Sequence, residues 1–380
     1  MIYEYPIHPV NLANNYLEYG LNLRDDLIEQ IEFICPRCRH GSDEGIVQAP
    51  LKLGHIFKKE EGFVLEGFFV CSNVDCNCTY PVLNGVPIIL KDIKGWWHSE
   101  KAKLSVIRCD SPEIKEYFNG LSHSEPSSHA ERSLISSYMD LHYGTLEDLN
   151  IPFASRVDPR QFWEKAIAIG KPNRGEIYCH SLDLGCSVGR YTFELARFSE
   201  LAIGMDLKFN TVSRAALFHR TQKISYEQRK HGQCFEETET TYTPSQNVLF
   251  LVADALDPPF RAETFDLVAA LNLIDNVKLP LVLIGQMDAL LKQGGSLILG
   301  APYEWQTEIC EPKEWLETDD MDSPEMIQRI LEGRLFPRMG ITYEILEDIF
   351  DIPWLMRYHH RHWSLFLLHL LKARKRVIKI

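Results

Sequence analysis

Four cysteines and one glycine-bearing turn carry the spacings in this chain that could do chemistry. Cys35-Pro-Arg-Cys38 forms a C-x-x-C knuckle, and after 32 intervening residues comes Cys71-Ser-Asn-Val-Asp-Cys76-Asn-Cys78. Two pairs of thiolates, each on a tight turn, can meet tetrahedrally around Zn²⁺, and such a site is closed and structural rather than catalytic. The second pair is irregularly spaced, so Cys76 and Cys78 both stand as the fourth ligand. The turn lies in Leu182-Asp183-Leu-Gly185-Cys186-Ser-Val-Gly189-Arg190. An apolar run there carries Asp183 and stops in a Gly-x-x-x-Gly loop, and a helical pattern follows at once. Backbone that turns through glycines from strand to helix can approach a flat ligand at the strand's carboxyl end. Seventeen residues after Gly189 a second apolar run ends in Asp206. A doubly wound sheet places there the carboxylate that binds ribose hydroxyls.

A dinucleotide site, an S-adenosylmethionine site and an unliganded βαβ unit all begin this way. The loop lacks the full Gly-x-Gly-x-x-Gly spacing that seats a pyrophosphate on a helix N-terminus. The residues instead resemble the first two motifs of class I, Rossmann-like methyltransferases, and the likeness continues in order. Val248 to Asp254 resembles that family's third strand, Phe265 to Asn272 its fourth, and Leu290 to Gly300 its turn and fifth strand. The resemblance implies an α/β fold, a Rossmann-like seven-stranded methyltransferase sheet, with S-adenosyl-L-methionine as cofactor. It implies that the loop with Asp183, Gly185, Cys186 and Gly189 passes the methionine part, that Asp206 binds the ribose and that Asp254 meets the adenine edge. Leu207, Ala255 and Asn272 join these as cofactor-binding residues. Cys186 reads as a small packing residue rather than a nucleophile.

Beyond the cysteines, Thr79 to Leu90 reads as a strand, a turn at Asn84-Gly85 and a second strand. This segment resembles the small zinc ribbon that, as a separate subunit, activates several RNA and protein methyltransferases and is fused to some others. The family's last cysteine stands four residues before a Tyr-Pro pair. The resemblance therefore implies Cys35, Cys38, Cys71 and Cys76 as the zinc ligands. A domain this small needs such a staple to fold.

The elements that must position these groups follow from composition and pattern. A chain of 380 residues holds about two domains, and 45% apolar with 24% charged content is ordinary for a globular protein. The net charge of −13 argues against a general nucleic-acid coat. Lys372 to Lys379 is a local basic run that reads as a solvated terminus. No basic start followed by an apolar stretch marks a signal, and the longest apolar run, Leu365 to Leu371, is broken by His369 and too short to cross a bilayer. A cytoplasmic address is expected, where ten cysteines serve as metal ligands or buried thiols rather than disulfides. The expected division is a zinc-ribbon-containing domain at 1–118, a polar linker at 119–130 and the methyltransferase domain at 131–380. Helical spacing begins at Glu131, so one or two helices precede the first strand. Alternation around His231-Gly232 suggests an added hairpin before the third strand, either a cover for the cofactor or tolerated surface.

Further motifs narrow the resemblance. Tyr138 to Gly144, Asn272-Leu-Ile-Asp275-Asn276, Ala301-Pro-Tyr303-Glu-Trp305, Trp315-Leu316 and Ile352 to Arg357 are the pieces. With the glycine loop they resemble the methyltransferase domain of ovothiol-biosynthesis enzymes, which methylates an imidazole nitrogen of 4-mercaptohistidine. The likeness spans roughly residues 133 to 370 and leaves out those enzymes' iron-dependent part. In a doubly wound sheet the acceptor arrives over the carboxyl ends of the strands. Asn272, Asp275 and Tyr303 sit there by sequence, and His142 and Tyr143 on the preceding helix are placed to close the pocket. Asp275 could orient an imidazole or amine and take its proton, and Tyr303 and Trp305 could offer faces to a cation. Blander roles compete: Asp275 as a helix cap, His142 as a packing histidine, Trp305 as core. His359-His360-Arg361-His362 reads as surface or pocket-rim histidines rather than a metal site.

Three functions follow. The first is methyl transfer to a small amino-acid-derived acceptor. The second is an RNA or protein methyltransferase whose ribbon contacts a macromolecular partner; acidity and the lack of an Asn-Pro-Pro-Tyr-type motif after the fourth strand weigh against it. The third is a non-catalytic scaffold that holds another protein through its ribbon, against which the intact loop, Asp206 and Asp254 count; no membrane partner is expected in any of the three.

Overall fold

The computed structural model describes residues 23–42, 45–101, 109–118, 128–144, 161–173 and 175–377. Most of the expected linker, 119–127, lies outside them. The amino-terminal part is a small antiparallel unit: β1 (Leu23–Arg24), α1 (Asp25–Ile28), β2 (His40–Ser42), β3 (Gly45–Val47), β4 (Leu51–Glu60), β5 (Phe63–Cys71), β6 (Thr79–Leu83) and β7 (Val86–Pro87). β5 is its central strand, bonded to β4 on one side and to β1 and β6 on the other. Burial on both faces is why its apolar residues run on without alternating. Asn84 and Gly85 turn β6 into β7 with φ of 50° and 75°, the paired left-handed backbone of a tight hairpin. Two short helices, α2 (Ile93–Glu100) and α3 (Pro112–Tyr117), complete this part.

The larger part begins with α4 (His129–Tyr143), two residues before the expected Glu131, because Ser128 caps it by accepting the amide of Glu131 at 3.2 Å. α5 (Gln161–Gly170) follows, so two helices precede the first strand. Then come β8 (Tyr178–Leu184), α6 (Arg190–Ala196), β9 (Ser199–Asp206), α7 (Phe209–Thr221), β10 (Ser225–His231), β11 (Cys234–Glu239), β12 (Val248–Val252), β13 (Phe265–Leu271), α8 (Pro280–Leu290), β14 (Leu291–Ala301), α9 (Ser323–Leu331), β15 (Tyr343–His359) and β16 (His362–Lys375). The order β12-β9-β8-β13-β14-β16-β15 makes a seven-stranded sheet. It is parallel as far as β14; β16 then pairs antiparallel to both β14 and β15. This is the Rossmann-like methyltransferase fold expected from the loop and its following strands. Chain order reverses at β8, which puts the switch point between β8 and β13. Among the described residues no helix is long and apolar enough to cross a membrane.

The two parts join edge to edge. Ile88 forms a parallel bridge to Val252, and the amide of Ile89 donates to the Val252 carbonyl at 2.9 Å, so the small unit covers the β12 edge of the large sheet. Phe33 bridges Phe260, and their rings meet at 5.8 Å.

The hairpin expected around His231-Gly232 forms as β10 and β11. It is clasped to α4: the amide of Arg229 donates to Ser136 Oγ at 2.7 Å, and Arg132 grips the Glu227 carboxylate. One reading of the carboxyl terminus is corrected. The basic run from Lys372 is not a loose tail as far as Lys375, because it is the end of β16, paired antiparallel to β14 as far as Arg374 and to β15 as far as Lys375. Lys375 Nζ there donates to the carbonyl of Asp288 at 2.6 Å. The histidine run lies at the turn of the β15–β16 hairpin, with His360 and His362 exposed. His359 and His362 pair across that turn with ring centroids 5.7 Å apart.

Candidate functional site

The glycine turn sits where β8 hands over to α6, at the switch point. Gly185 and Gly189 hold φ of 74° and 84°, and Ser187 between them sits at 50°. A Cβ on Gly189 would lie 2.7 Å from Ala215 Cβ and 2.8 Å from Phe250 Cζ, so only glycine lets the loop seat against α7 and β12. The turn is locked to the end of the next strand. The amides of Gly185 and Cys186 donate to the Met205 carbonyl at 2.8 and 3.0 Å, and the amide of Ser187 donates to Asp206 Oδ2 at 3.1 Å. The Lys208 amide donates to Asp206 Oδ1 at 2.9 Å. Burial pushes the Asp206 carboxyl up, and the amides of Lys208 and Ser187 pull it back.

Asp183 is buried beneath the turn, accepting from Thr192 Oγ1 at 2.7 Å, and burial pushes its carboxyl up to about 7. Cys186 is buried beside it, and burial together with Asp183 and Asp206 raises its thiol far above the usual range, which leaves it unreactive. Leu207 is exposed, and its carbonyl accepts from Trp96 Nε1 of α2 at 2.9 Å. Asp254 Oδ1 accepts the amide of Leu256 at 2.9 Å, and Ala255 is buried between them.

Two buried oxygens in this crevice have no hydrogen-bond partner: Ser187 Oγ and Asn272 Oδ1. Asn272 follows β13 at φ 53°, and its neighbour Leu273 lies 3.0 Å from where a Cβ on Gly185 would be. Unpartnered buried polar atoms are rare, and a bound polar ligand is one way to satisfy them. A glycine cradle, a half-buried carboxylate and two unsatisfied oxygens fit an adenosyl amino acid.

The residues expected to handle the acceptor are divided by the structure. Tyr143 is buried, with its hydroxyl donating to the Val188 carbonyl at 2.8 Å, so it braces the glycine turn. Arg190 joins this brace, donating to the His142 carbonyl at 3.0 Å and lying 4.2 Å from the Tyr242 ring centroid. His142 packs on Trp163 with centroids 5.1 Å apart, and its Nδ1 is buried without a partner. Burial and the neighbouring Arg190 hold its imidazole down to about 3, so it stays neutral. Asp275 is buried in the turn after β13, accepting the Glu304 amide at 2.9 Å and Asn276 Nδ2 at 3.0 Å. It ties the ends of β13 and β14 together rather than capping a long helix, and burial raises its carboxyl. Trp305 stacks on Trp315 and donates to Glu317 and Ser323 at 3.1 and 3.0 Å, so its indole is half-buried packing.

Tyr303, at the carboxyl end of β14, holds φ 58°, which is strained for a bulky residue and points to a functional constraint. Its hydroxyl lies 2.7 Å from His369 Nδ1, and His369 Nε2 lies 2.7 Å from Asp348 Oδ1. Sequence reasoning missed both partners. The signal was present, because His369 interrupts an apolar strand and is buried at 4% exposure.

The second candidate site is the cysteine group. The sulfurs of Cys35, Cys38, Cys71 and Cys76 lie within 4.8 Å of one another. Cys35 and Cys76 are 3.8 Å apart and Cys38 and Cys71 3.6 Å. These are close to the edges, about 3.8 Å, of a tetrahedron with about 2.3 Å metal–sulfur bonds. Cys78 stands outside the group, its carbonyl accepting the Cys71 amide at 3.0 Å. The Tyr80 hydroxyl lies 3.0 Å from Cys35 Sγ, an outer contact of the kind that orients a thiolate ligand.

Residues 182–299 match the family described as "Methyltransferase domain". No protein of curated function matches the chain. Among solved structures the chain is similar to the YcgJ protein of Bacillus subtilis, at 13% identity over 57% of this chain and 100% of that one, TM-score 0.37. It is similar to the N-methyltransferase NodS of Bradyrhizobium japonicum, at 14% identity over 57% and 96%, TM-score 0.36. It is also similar to a complex of the Haloferax volcanii Trm112 methyltransferase activator with a methyltransferase, at 17% identity over 66% and 99%, TM-score 0.38.

Proposed function

We propose, from the premise that residues 182–299 are a class I, S-adenosylmethionine-dependent methyltransferase domain, that the chain methylates a nitrogen of a small amino-acid-derived acceptor. The observation that carries the reading is the lock between the glycine turn and Asp206 beside the unpartnered oxygens of Ser187 and Asn272. When bound, S-adenosylmethionine supplies a methyl group already activated on a sulfonium. The chain's residues are then left with positioning, water exclusion and the acceptor's proton.

Asp206 would take the ribose hydroxyls, with Leu207 alongside, and Asp254 with Ala255 the adenine edge. Gly185, Cys186 and Gly189 let the backbone run close to the methionine part, with Asp183 fixed below by Thr192. Asn272 stands between donor and acceptor. His142, Asp275 and Tyr303 border the acceptor, and Tyr143 acts through the Val188 carbonyl as a positioning residue.

The zinc-ribbon part, 1–118, would bind one structural Zn²⁺ through Cys35, Cys38, Cys71 and Cys76, with a linker at 119–130 leading into the catalytic part, 131–380. A macromolecular acceptor guided by the ribbon is the competing reading. Tritiated methyl transfer into fractionated cell extract separates the two. Label in the acid-soluble fraction is expected; label confined to RNA or protein favours the competitor. No transfer together with no S-adenosylhomocysteine binding by calorimetry leaves only a scaffold.

A further inference from the structure

Tyr303, His369 and Asp348 are three groups in series, on β14's carboxyl end, β16 and β15, and positioning of the methyl donor uses none of them. His369 sits opposite Ala301 in the β14–β16 register, so its ring reaches the carboxyl edge where an acceptor arrives. Phe350 stacks on the imidazole with centroids 4.6 Å apart and fixes its plane. A carboxylate accepts only, so His369 donates its Nε2 proton to Asp348. Its Nδ1 is then the lone pair that receives the Tyr303 hydroxyl. Asp348 is 31% exposed, so the far end of the series opens to water.

The charges around the tyrosine have one sign. Asp275 from the β13 turn, Asp322 at the start of α9 and Asp348 from β15 all act on Tyr303. Among the described residues no lysine or arginine forms an ion pair with any of the three. Such a corner opposes an anionic nucleophile and favours a neutral one that becomes a cation.

We propose that Tyr303–His369–Asp348 is a proton exit for an acceptor nitrogen; the proposal rests on the methyl-transfer reading above. The nitrogen lone pair forms the bond to the methyl carbon as the carbon–sulfur pair returns to sulfur, which leaves the nitrogen positive. Its N–H proton passes to the Tyr303 oxygen while the tyrosine's own proton passes to His369 Nδ1. The imidazolium formed is held by Asp348, and the Nε2 proton leaves through that carboxylate to water. Tyr303 is the catalytic residue, and His369 and Asp348 act through it.

The test uses the full chain and, as acceptor, whichever extract fraction the wild type labels from tritiated S-adenosylmethionine. His369→Gln, Asp348→Asn and Tyr303→Phe are compared with wild type for initial rate between about pH 6 and 9 and for S-adenosylhomocysteine affinity. Asp348→Asn keeps the shape and misdirects the imidazole proton, which guards against a folding failure in His369→Gln. Each variant is expected to lose about 100-fold in rate near neutrality. Each should recover as hydroxide replaces the relay, with affinity within about twofold of wild type. The pair Tyr303→Phe with His369→Gln should lose little beyond either alone. Variants with the wild-type rate and pH profile overturn the relay while the methyl-transfer reading stands. A wild type that binds S-adenosylhomocysteine and labels nothing overturns both.

Discussion

Asp206 carries two backbone amides before any ligand arrives, so its carboxylate is aimed, and hydroxyls that meet it have no side-chain reorganisation to drive. Truncating it removes charge-assisted hydrogen bonds worth about 1.5 to 3 kcal/mol. Asp206→Ala should therefore weaken S-adenosylhomocysteine binding about 10- to 100-fold by calorimetry, and an unchanged affinity would refute its role. Asp183 makes a pH prediction of definite sign. Its folded carboxyl is raised to about 7 by burial, so between its unfolded value of 3.8 and 7 the native chain holds a proton the unfolded chain has lost. Stability from this group is thus present at the acid end and falls as pH rises through that window. Asp183→Asn keeps an oxygen for Thr192 and has no charge to bury. Without ligand, its urea stability should fall less than wild type's between about pH 4 and 7; equal slopes would count against the assignment. The contrast with Tyr303 shows what a sequence can carry at this scale. Asp206 was legible because its distance from the loop is local. His369 and Asp348 lie 66 and 21 residues from the groups they bond, joined only by a β14–β16–β15 pairing that no spacing encodes.

Elements are held in place by two devices of different legibility. The first, the close seat of the glycine turn on α7 and β12, followed from glycine type and position. Gly189→Ala forces a Cβ into Ala215 and Phe250 at positive φ, for which about 1 to 3 kcal/mol of destabilisation is expected in chemical denaturation. A loss below about 0.5 kcal/mol would mean the turn is looser than drawn. The second device is a buried cluster. Asp140 of α4 accepts from Tyr226 at 3.0 Å and Gln228 at 2.7 Å of β10, and from Arg357 Nε of β15 at 2.8 Å. It ties together three elements, and two of the motifs that carried the narrower resemblance, around 138–144 and 352–357, meet in this ion pair. Arg357→Met leaves the Asp140 charge buried without its cation, which should cost about 3 kcal/mol or more. The double replacement with Asp140→Leu should recover part of that, and additive losses would mean the two side chains do not interact. Strands β8, β9, β12, β13 and β14 were legible because buried parallel strands read as apolar runs. β15 and β16 were not outlined, because breaks in register near Glu347, Ile352 and His359 scramble the alternation, and the lysines and arginines after Leu371 resemble a tail.

At the scale of the molecule the question is why a cysteine knuckle belongs to this sheet at all. The amide of Ile34 donates to Pro259 at 2.9 Å, and Arg39, next to Cys38, pairs with Asp257 at 3.1 Å and donates to the Phe260 carbonyl at 3.0 Å. The knuckle thus braces the segment that follows Asp254, at the carboxyl end of β12. Trp96 meanwhile holds the carbonyl of Leu207, next to Asp206. A bound metal would displace the thiol protons, draw the four sulfurs together and so present Arg39; without those bonds the knuckle would be held less firmly. One zinc per chain is expected by elemental analysis, lost in Cys76→Ser and retained in Cys78→Ser, since Cys78 lies outside the sulfur group. Chelation should then weaken S-adenosylhomocysteine binding, and Arg39→Ala should do the same with zinc still bound. That pairing separates the brace from the metal's general effect on folding. Retained affinity in Arg39→Ala, alongside lost affinity in the chelated protein, would mean that zinc supports the crevice only by keeping the small unit folded against the β12 edge.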